Sequence, residues 1–428
     1  MKKIMARNLY RWCAAALCAS LLITAACAPQ EEELLPEDEY QVNEVIPGAQ
    51  QDEPEPVVVP EQEDKLAPAG YDMYKLGYFA KEHIGPDETL YKAVFDAVQE
   101  QKTELDISAF GADRGAVEKV AQALEDCYEF GYFAGLELGE DGKTLSILYE
   151  GDLEQGEQDR DAFRAKVSEI LQVVAGQERP AASAVMELYH YLCANITLDT
   201  ESGETYSGAL HGLLDGRTDA LGFAQLMRYL LDQMGVEVYI TFGEDIKDVW
   251  NTVKIDGEYF HLDAAREAEA DAGQAYKYFG LSDKEFLKRA AAASWSSGKA
   301  DGVTYETPAA TGNRFTPLQG YNIIAVDFAG ERYYTIDTSG EGTPIAAYDL
   351  RTHEKGTVYT AQAANLAFYK GLLYFSDTAD GLKLKSLEPE SETVAAVADL
   401  EVTRLLCKAD GVYAYDDVRG EETIIKPE

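Results

Sequence analysis

Basic residues are few in this chain, cysteines are fewer, and no apolar run is long enough to cross a bilayer. Lys and Arg number 37 against 77 Asp and Glu. So acidic a surface repels phosphate backbones and anionic headgroups, which argues against DNA, RNA and anionic lipid as partners. It leaves cationic ligands and divalent metals open. A spanning helix needs roughly 20 apolar residues, and no segment beyond the N-terminus supplies them. Of the six cysteines, Cys127, Cys193 and Cys407 stand far apart and odd in number. They form neither a disulfide framework nor a zinc spacing, and they read as buried apolar thiols.

The N-terminus departs from this pattern. Lys2, Lys3, Arg7 and Arg11 precede an uncharged run from Cys13 to Ala26. That run is too short to span, and it has the layout of a signal-peptide core. It ends in Thr24-Ala25-Ala26-Cys27, small residues before a cysteine. This resembles the lipobox of bacterial lipoproteins, in which that cysteine is diacylated and becomes the first mature residue. Thr24 stands where such boxes more often carry Leu, and an ordinary secretory cleavage site is the alternative. The resemblance implies lipidation at Cys27, a membrane partner through the lipid, and an extracytoplasmic, cell-surface location.

Composition divides the rest. Residues 1–26 are the signal peptide. Residues 27–69 hold seven of the chain's 14 prolines and are dense in acids, so they bury too little to fold and read as a disordered tether. Residues 70–176 predict a small α+β domain, with helices over 90–100, 115–128 and 160–174 and a hairpin around Asp141-Gly142. Residues 177–290 are the informative domain, and the Ala-, Ser- and Gly-rich stretch 291–314 reads as a linker. In 315–428, Gly330–Asp337 is echoed by Gly371–Asp377 and more loosely by Gly411–Asp416. A period near 40 residues built of short strands resembles β-propeller blades. Too few copies fit to close a ring, so the expectation is an open stack, or one that needs a partner. A single antiparallel β-domain is the alternative. The fold class expected overall is α+β.

In the central domain, 181–196 has helical periodicity. A second helix begins at Asp219, a plausible N-cap, and ends at Gly235. Strand-like runs cover 236–242, 249–255 and 258–264. Asp256-Gly257 joins the last two as a two-residue hairpin. If Ile255 pairs with Glu258, Trp250 faces Asp263, and Asp248 and Asp263 become diagonal neighbours on one face.

The order of motifs here is Asn195–Asp199, Gly208-Ala209-Leu210, Gly216-Arg-Thr-Asp-Ala-Leu-Gly-Phe-Ala224, Val249-Trp-Asn251, Tyr259-Phe-His-Leu-Asp263 and Tyr276–Phe279. It resembles the transglutaminase-like family, which has a papain-type fold. The resemblance covers roughly 180–290. It implies a Cys–His–Asp triad at positions 220, 248 and 263. Those positions hold Ala220, Asp248 and Asp263, so only the orienting acid matches. A carboxylate cannot stand in for an imidazole poised near neutrality. No cysteine lies near position 220. Cys193 sits at an apolar position of the preceding helix. The resemblance therefore implies an inactive domain, needing no cofactor, whose cleft could hold a peptide, glycan or protein ligand against Trp250, Asn251, Tyr206 and Phe223.

Other chemistry stays open from sequence alone. Asp219, Asp248 and Asp263 could converge as a metal site, since close carboxylates recruit a cation or raise a pKa. Asp248 and Asp263, with Thr218 or His261, could serve a hydrolase or amidase. A metal- or substrate-capture protein is a third reading. The plainer alternative is that Asp219 caps a helix, Asp263 bonds to backbone and Asp248 is solvated. His190 and His211 read as structural.

Overall fold

The computed structural model describes residues 57–59, 63–201, 207–243, 249–271, 275–290, 295–296, 299–300, 303–304, 306–339 and 342–426. Cys27, most of the tether, Tyr206 and Asp248 lie outside the described residues. Among these residues no helix is long and apolar enough to cross a membrane.

Strand β1 (Lys65–Leu66) pairs with Arg179–Pro180, and Leu66 and Ala69 pack on the central core, so the last residues of the expected tether are folded. The first layer comprises α1 (Tyr78–Ile84), α2 (Glu88–Gln99), β2 (Glu104–Asp106), α3 (Arg114–Glu125), β3 (Phe133–Leu138), β4 (Thr144–Tyr149) and α4 (Leu153–Val174). Its sheet has the order β2-β4-β3. The expected hairpin closes because Asp141 Oδ1 accepts the amides of Lys143 and Thr144 while Gly142 takes φ 65°, a conformation glycine adopts without cost. Tyr91, Phe95, Val120, Leu124, Phe133 and Ile147 fill this layer's own core. Helix α4 belongs elsewhere. Its buried stripe of Phe163, Val167, Ile170, Leu171 and Val174 joins the core of the next domain, so packing is continuous across residue 176. The same helix reaches back through Arg164, whose guanidinium makes two 3.0 Å bonds to the buried Glu129 carboxylate.

The central layer runs through β5 (Arg179–Pro180), α5 (Ala181–Asn195), β6 (Thr197–Leu198), α6 (Ala209–Asp215), β7 (Arg217–Thr218) and α7 (Ala220–Met234). It continues with β8 (Val238–Gly243), β9 (Val249–Ile255), β10 (Glu258–Leu262), α8 (Ala264–Asp271), α9 (Asp283–Ala290) and β11 (Trp295–Ser296). The sheet order is β10-β9-β8-β11. Asp256 and Gly257 both have positive φ, 52° and 83°, as a two-residue hairpin turn matched to strand twist requires. Ile255 pairs with Glu258 and Asn251 with Leu262, the register expected from the sequence. Alternation then sorts the side chains. Val253, Ile255, Phe260 and Leu262 pack with α7 in the central core. Trp250 faces the other way, into a separate cluster with Leu281 and Phe286.

A short hairpin, β12 (Lys299–Ala300) and β13 (Val303–Thr304), lies within the stretch 291–314 expected to be linker. The described residues 306–314 are instead packed down. Ala310 is tied to the start of α9, its carbonyl accepting from the Asp283 amide at 2.7 Å and its amide donating to Asp283 Oδ1 at 3.1 Å. The buried Arg314 pairs with Asp256 in the hairpin turn and with Glu63.

The C-terminal module contains β14 (Ile324–Asp327), β15 (Arg332–Ile336), β16 (Pro344–Asp349), β17 (Lys355–Tyr369), β18 (Leu372–Asp377), β19 (Lys383–Glu388), β20 (Thr393–Glu401), β21 (Arg404–Lys408), β22 (Gly411–Asp416) and β23 (Glu421–Ile425). Strands β14 to β20 form one seven-stranded antiparallel sheet and β21 to β23 a second. The three sequence repeats are β15, β18 and β22, each the second strand of a meander. The long β17 serves two of them: its first part pairs with β16 and its last part with β18. The array rests at both ends on one helix of this chain. Ser183 Oγ in α5 donates to the Phe328 carbonyl after β14, at 3.1 Å. Asn195, at the other end of α5, accepts the Ala409 amide of the β21–β22 turn, at 3.3 Å. Ile324, Val326, Tyr333 and Leu350 enter the central core. The β-module thus packs against α5 of the same chain.

Candidate functional site

The resemblance places a reactive centre at the start of α7, facing the ends of β9 and β10. Asp219 is the N-cap there. Its Oδ1 accepts the Gly222 amide at 2.8 Å, and its Oδ2 accepts the Ser207 hydroxyl at 2.7 Å. This satisfies one of the donors that a helix start leaves orphaned. Thr218 is fully buried, with its hydroxyl donating to the Gly208 carbonyl at 3.0 Å. Gly222 is needed for this approach: a Cβ there would sit 2.0 Å from Thr218 Oγ1. Ala220 is half-buried against the central core and offers no group to ionise.

Asp263 ends β10 and opens α8. It is 2% exposed. Its amide donates to the Tyr278 carbonyl at 3.0 Å, and its Oδ1 accepts the Arg266 amide at 3.1 Å. Arg266 Nε lies 3.4 Å from Oδ2. Burial, outweighing that amide bond and reinforced by the charge of Glu267, pushes its carboxyl up to about 7. The next acid along, Glu267, is also fully buried. It accepts the Tyr278 amide at 2.7 Å and lies 3.0 Å from the Tyr189 hydroxyl. Cys193 shares this enclosure. Its thiol donates to the Ala264 carbonyl at 3.5 Å, and burial drives its pKa well above the ordinary thiol value. A thiol held that way is inert as a nucleophile.

The ligand-lining residues expected from the sequence are corrected by this geometry. Trp250, Asn251 and Phe223 are each 1% exposed, so none lines an open cleft. The Asn251 amide bridges sheet and helix, donating to the carbonyls of Ala224 at 3.0 Å and Tyr239 at 3.3 Å. Phe223 packs inward in the first turns of α7. Trp250 stacks on Phe286 with ring centroids 4.5 Å apart and meets Trp295 edge-on at 6.1 Å. Strand alternation is the reason: odd positions of β9 meet α7, and Trp250 is covered by α9 and Trp295 on the opposite face. Tyr206, the fourth of these candidates, lies outside the described residues.

His261 sits beside Trp250 and is also sealed, at 0% exposure. Its Nδ1 lies 3.1 Å from the Trp250 indole nitrogen and 3.1 Å from Thr252 Oγ1; its Nε2 lies 2.8 Å from Asp283 Oδ1. An indole N–H only donates, so Nδ1 is the acceptor and Nε2 carries the proton toward Asp283. Thr241 extends the chain, its hydroxyl 2.9 Å from that of Thr252. Burial holds the imidazole pKa below its ordinary value. Hydroxyl, imidazole and carboxylate stand in series; Trp250, Phe286 and Trp295 pack around the imidazole, the Asp283 side chain stays 34% exposed, and the series acts as a polar network joining β8, β9, β10 and α9. The sequence reading missed Asp283 and Thr252. The one local signal was Ser282-Asp-Lys-Glu285, a helix-start pattern, and Glu285 does donate its amide to Ser282 Oγ.

His211 pairs with Asp215 one turn on along α6, at 2.7 Å. His190 stacks on Tyr276 and meets Phe328 at a tilt. Asp219 and Asp263 each spend an oxygen on a backbone amide, and Asp248, the third proposed metal ligand, lies outside the described residues. Among the described residues no group of three His, Cys, Asp or Glu side chains could hold a metal ion. A cavity of about 30 Å³ between α7 and the first layer is lined by Lys75, Gly77, Asp126, Cys127, Arg228 and Asp232. That is room for a water or two.

Comparison with known proteins adds little. No family model matches this chain, and no curated protein does. A solved structure from Cytophaga hutchinsonii, described as "a Putative Cysteine Protease", aligns at 15% identity with a TM-score of 0.21. The alignment takes in 26% of this chain and 38% of that one. A likeness so slight assigns neither activity nor ligand. The architecture itself is α+β, with helices packed on mostly antiparallel sheets.

Proposed function

We propose that the protein is an extracytoplasmic lipoprotein, anchored through Cys27, that binds or scaffolds a peptide, glycan or protein partner and carries a transglutaminase-like domain without its chemistry. One observation carries the reading: the two described triad positions are spent on structure. Ala220 has no reactive group, and Asp263 gives an oxygen to the Arg266 amide at 3.1 Å to start α8. A general acid or base needs reach to a substrate proton, and a carboxylate 2% exposed lacks it. The helix α7 followed by an antiparallel meander, with position 220 at the helix start and 263 at the end of the third strand, supports the domain reading drawn from the motifs. The acidic, Pro-rich stretch between Cys27 and β1 supports the anchor, since self-repulsion and proline stiffness hold a domain away from its tether point.

Mass spectrometry of the mature protein tests the anchor. A diacylated Cys27 at the N-terminus is expected, and Cys27→Ser should move the protein to the soluble fraction. An unmodified terminus would sink the anchored reading. Incubation with acyl-donor and peptide substrates tests inactivity, with no turnover expected that Asp263→Asn would abolish.

A further inference from the structure

Four strands of the β-module end a sheet among the described residues: β14, β20, β21 and β23. Three are guarded. Ile324, Ala325 and Val326 of β14 are buried. Strand β21 packs on β17 and α5. Strand β23 begins with Glu421 and Glu422, and charges at an edge discourage a further strand. Strand β20 touches β22, but its first five residues stay exposed. It pairs with β19 on one side, and Thr393-Val394-Ala395-Ala396-Val397 are five consecutive uncharged residues, all exposed. From 393 to 396 its register is regular; the irregularities fall beyond Ala396. The exposed edge is therefore regular over 393–396, and Val397 stands at the first irregularity. Acids bracket it, with Glu388, Glu390 and Glu392 before and Asp399 and Glu401 after. Arg332 reaches Glu390 at 3.2 Å and Lys383 reaches Asp399 at 2.9 Å. Both are exposed pairs, which offset little.

We propose that the outer edge of β20 is a docking site for an extended segment of a partner protein, apolar at its centre and basic at both ends, which adds to the sheet as one more strand. Main-chain hydrogen bonds to residues 393–397 supply affinity, as in β-strand addition generally. The bracketing acids select charge and steer the encounter. A second copy of this chain fits less well, because it would set the same acids against themselves. The site lies outside the central domain, so it stands whether or not Cys27 is lipidated.

The test uses the full-length protein in detergent and a fluorescent probe peptide of alternating Val and Thr with paired lysines at both ends. Saturable binding is expected, with new hydrogen-exchange protection confined to the amides around 393–397. Replacing the peptide's lysines with glutamates should weaken binding by about tenfold or more, as should raised salt. The double variant Val394→Lys, Ala396→Lys should lose binding, while Thr423→Lys on β23 keeps it. The exchange experiment needs no variant, so a misfolded variant leaves the test standing. Absence of binding, protection elsewhere, or equal affinity for the β20 variant would overturn the proposal. So would protection of 393–397 by self-association without peptide, which would give this edge to a second copy.

Discussion

The Nε2 of His261 lies 2.8 Å from Asp283 Oδ1, while its other ring nitrogen is held by Trp250 and Thr252. Every polar atom of a fully buried imidazole is thereby satisfied. His261→Ala removes ring packing and strands an indole N–H and a hydroxyl, so a loss of about 3–5 kcal/mol is expected. Urea unfolding should show a lower midpoint with an unchanged slope. Nitrogen-15 NMR should find the imidazole neutral, protonated at Nε2, at pH values where an ordinary histidine is already charged.

Asp263 and Asp232 both have their carboxyl pKa pushed up to about 7, chiefly by burial. The folded state keeps these protons while the unfolded chain, near 3.8, has released them. Their stabilising effect is full below about pH 4 and is lost as pH rises through about 7. For Asp263 the swing is at most about 4 kcal/mol. Asp263→Asn keeps the bond to the Arg266 amide and removes the titration. Unfolding midpoints should then depend less steeply on pH between 4 and 8 than in the parent. An unchanged pH dependence would show that the carboxylate is not desolvated.

Gly222 has no room for a methyl group, with Thr218 Oγ1 at 2.0 Å and the Gly208 carbonyl at 2.8 Å from a Cβ placed there. Gly222→Ala should cost about 1–3 kcal/mol through overpacking. Ala224→Gly, two residues on and also buried, provides a comparison without a clash, in which helix propensity at about 1 kcal/mol adds to the loss of one buried methyl group. Thermal melts of both variants decide between clash and propensity.

Restoring the missing groups tests the central domain directly. Ala220→Cys with Asp248→His should give a thiol that alkylates at a pH where Ala220→Cys alone stays unreactive, because the imidazole favours the thiolate. Equal alkylation rates for the single and double variants would place residue 248 away from the start of α7.

Much of the local structure was legible in advance. Asp219 and Gly235 bound α7 because a capping carboxylate and a left-handed glycine, here at φ 78°, answer needs that every helix end has. The Asp256-Gly257 turn set the β9–β10 register because a two-residue loop leaves no slack. The site was less legible. Trp250 looked like a ligand-binding aromatic beside a triad position, and alternation alone did not say which face α9 would cover. Asp283 lies 22 residues beyond His261, and nothing at that spacing signals a bond.

The sequence by itself determined where helices and hairpins begin and end, the three-fold strand repeat, and the absence of a cysteine and a histidine where the resemblance wants them. These follow from neighbouring residues and from residue identity. The tertiary structure decided which carboxylates lose their water, which face of β9 is sealed, and that α5 supports both ends of the β-module. It also decided that residues 393–397 of β20 form an open, uncharged stretch of edge. Burial and long-range pairing depend on what lies across the fold, and that is set only when distant segments pack together.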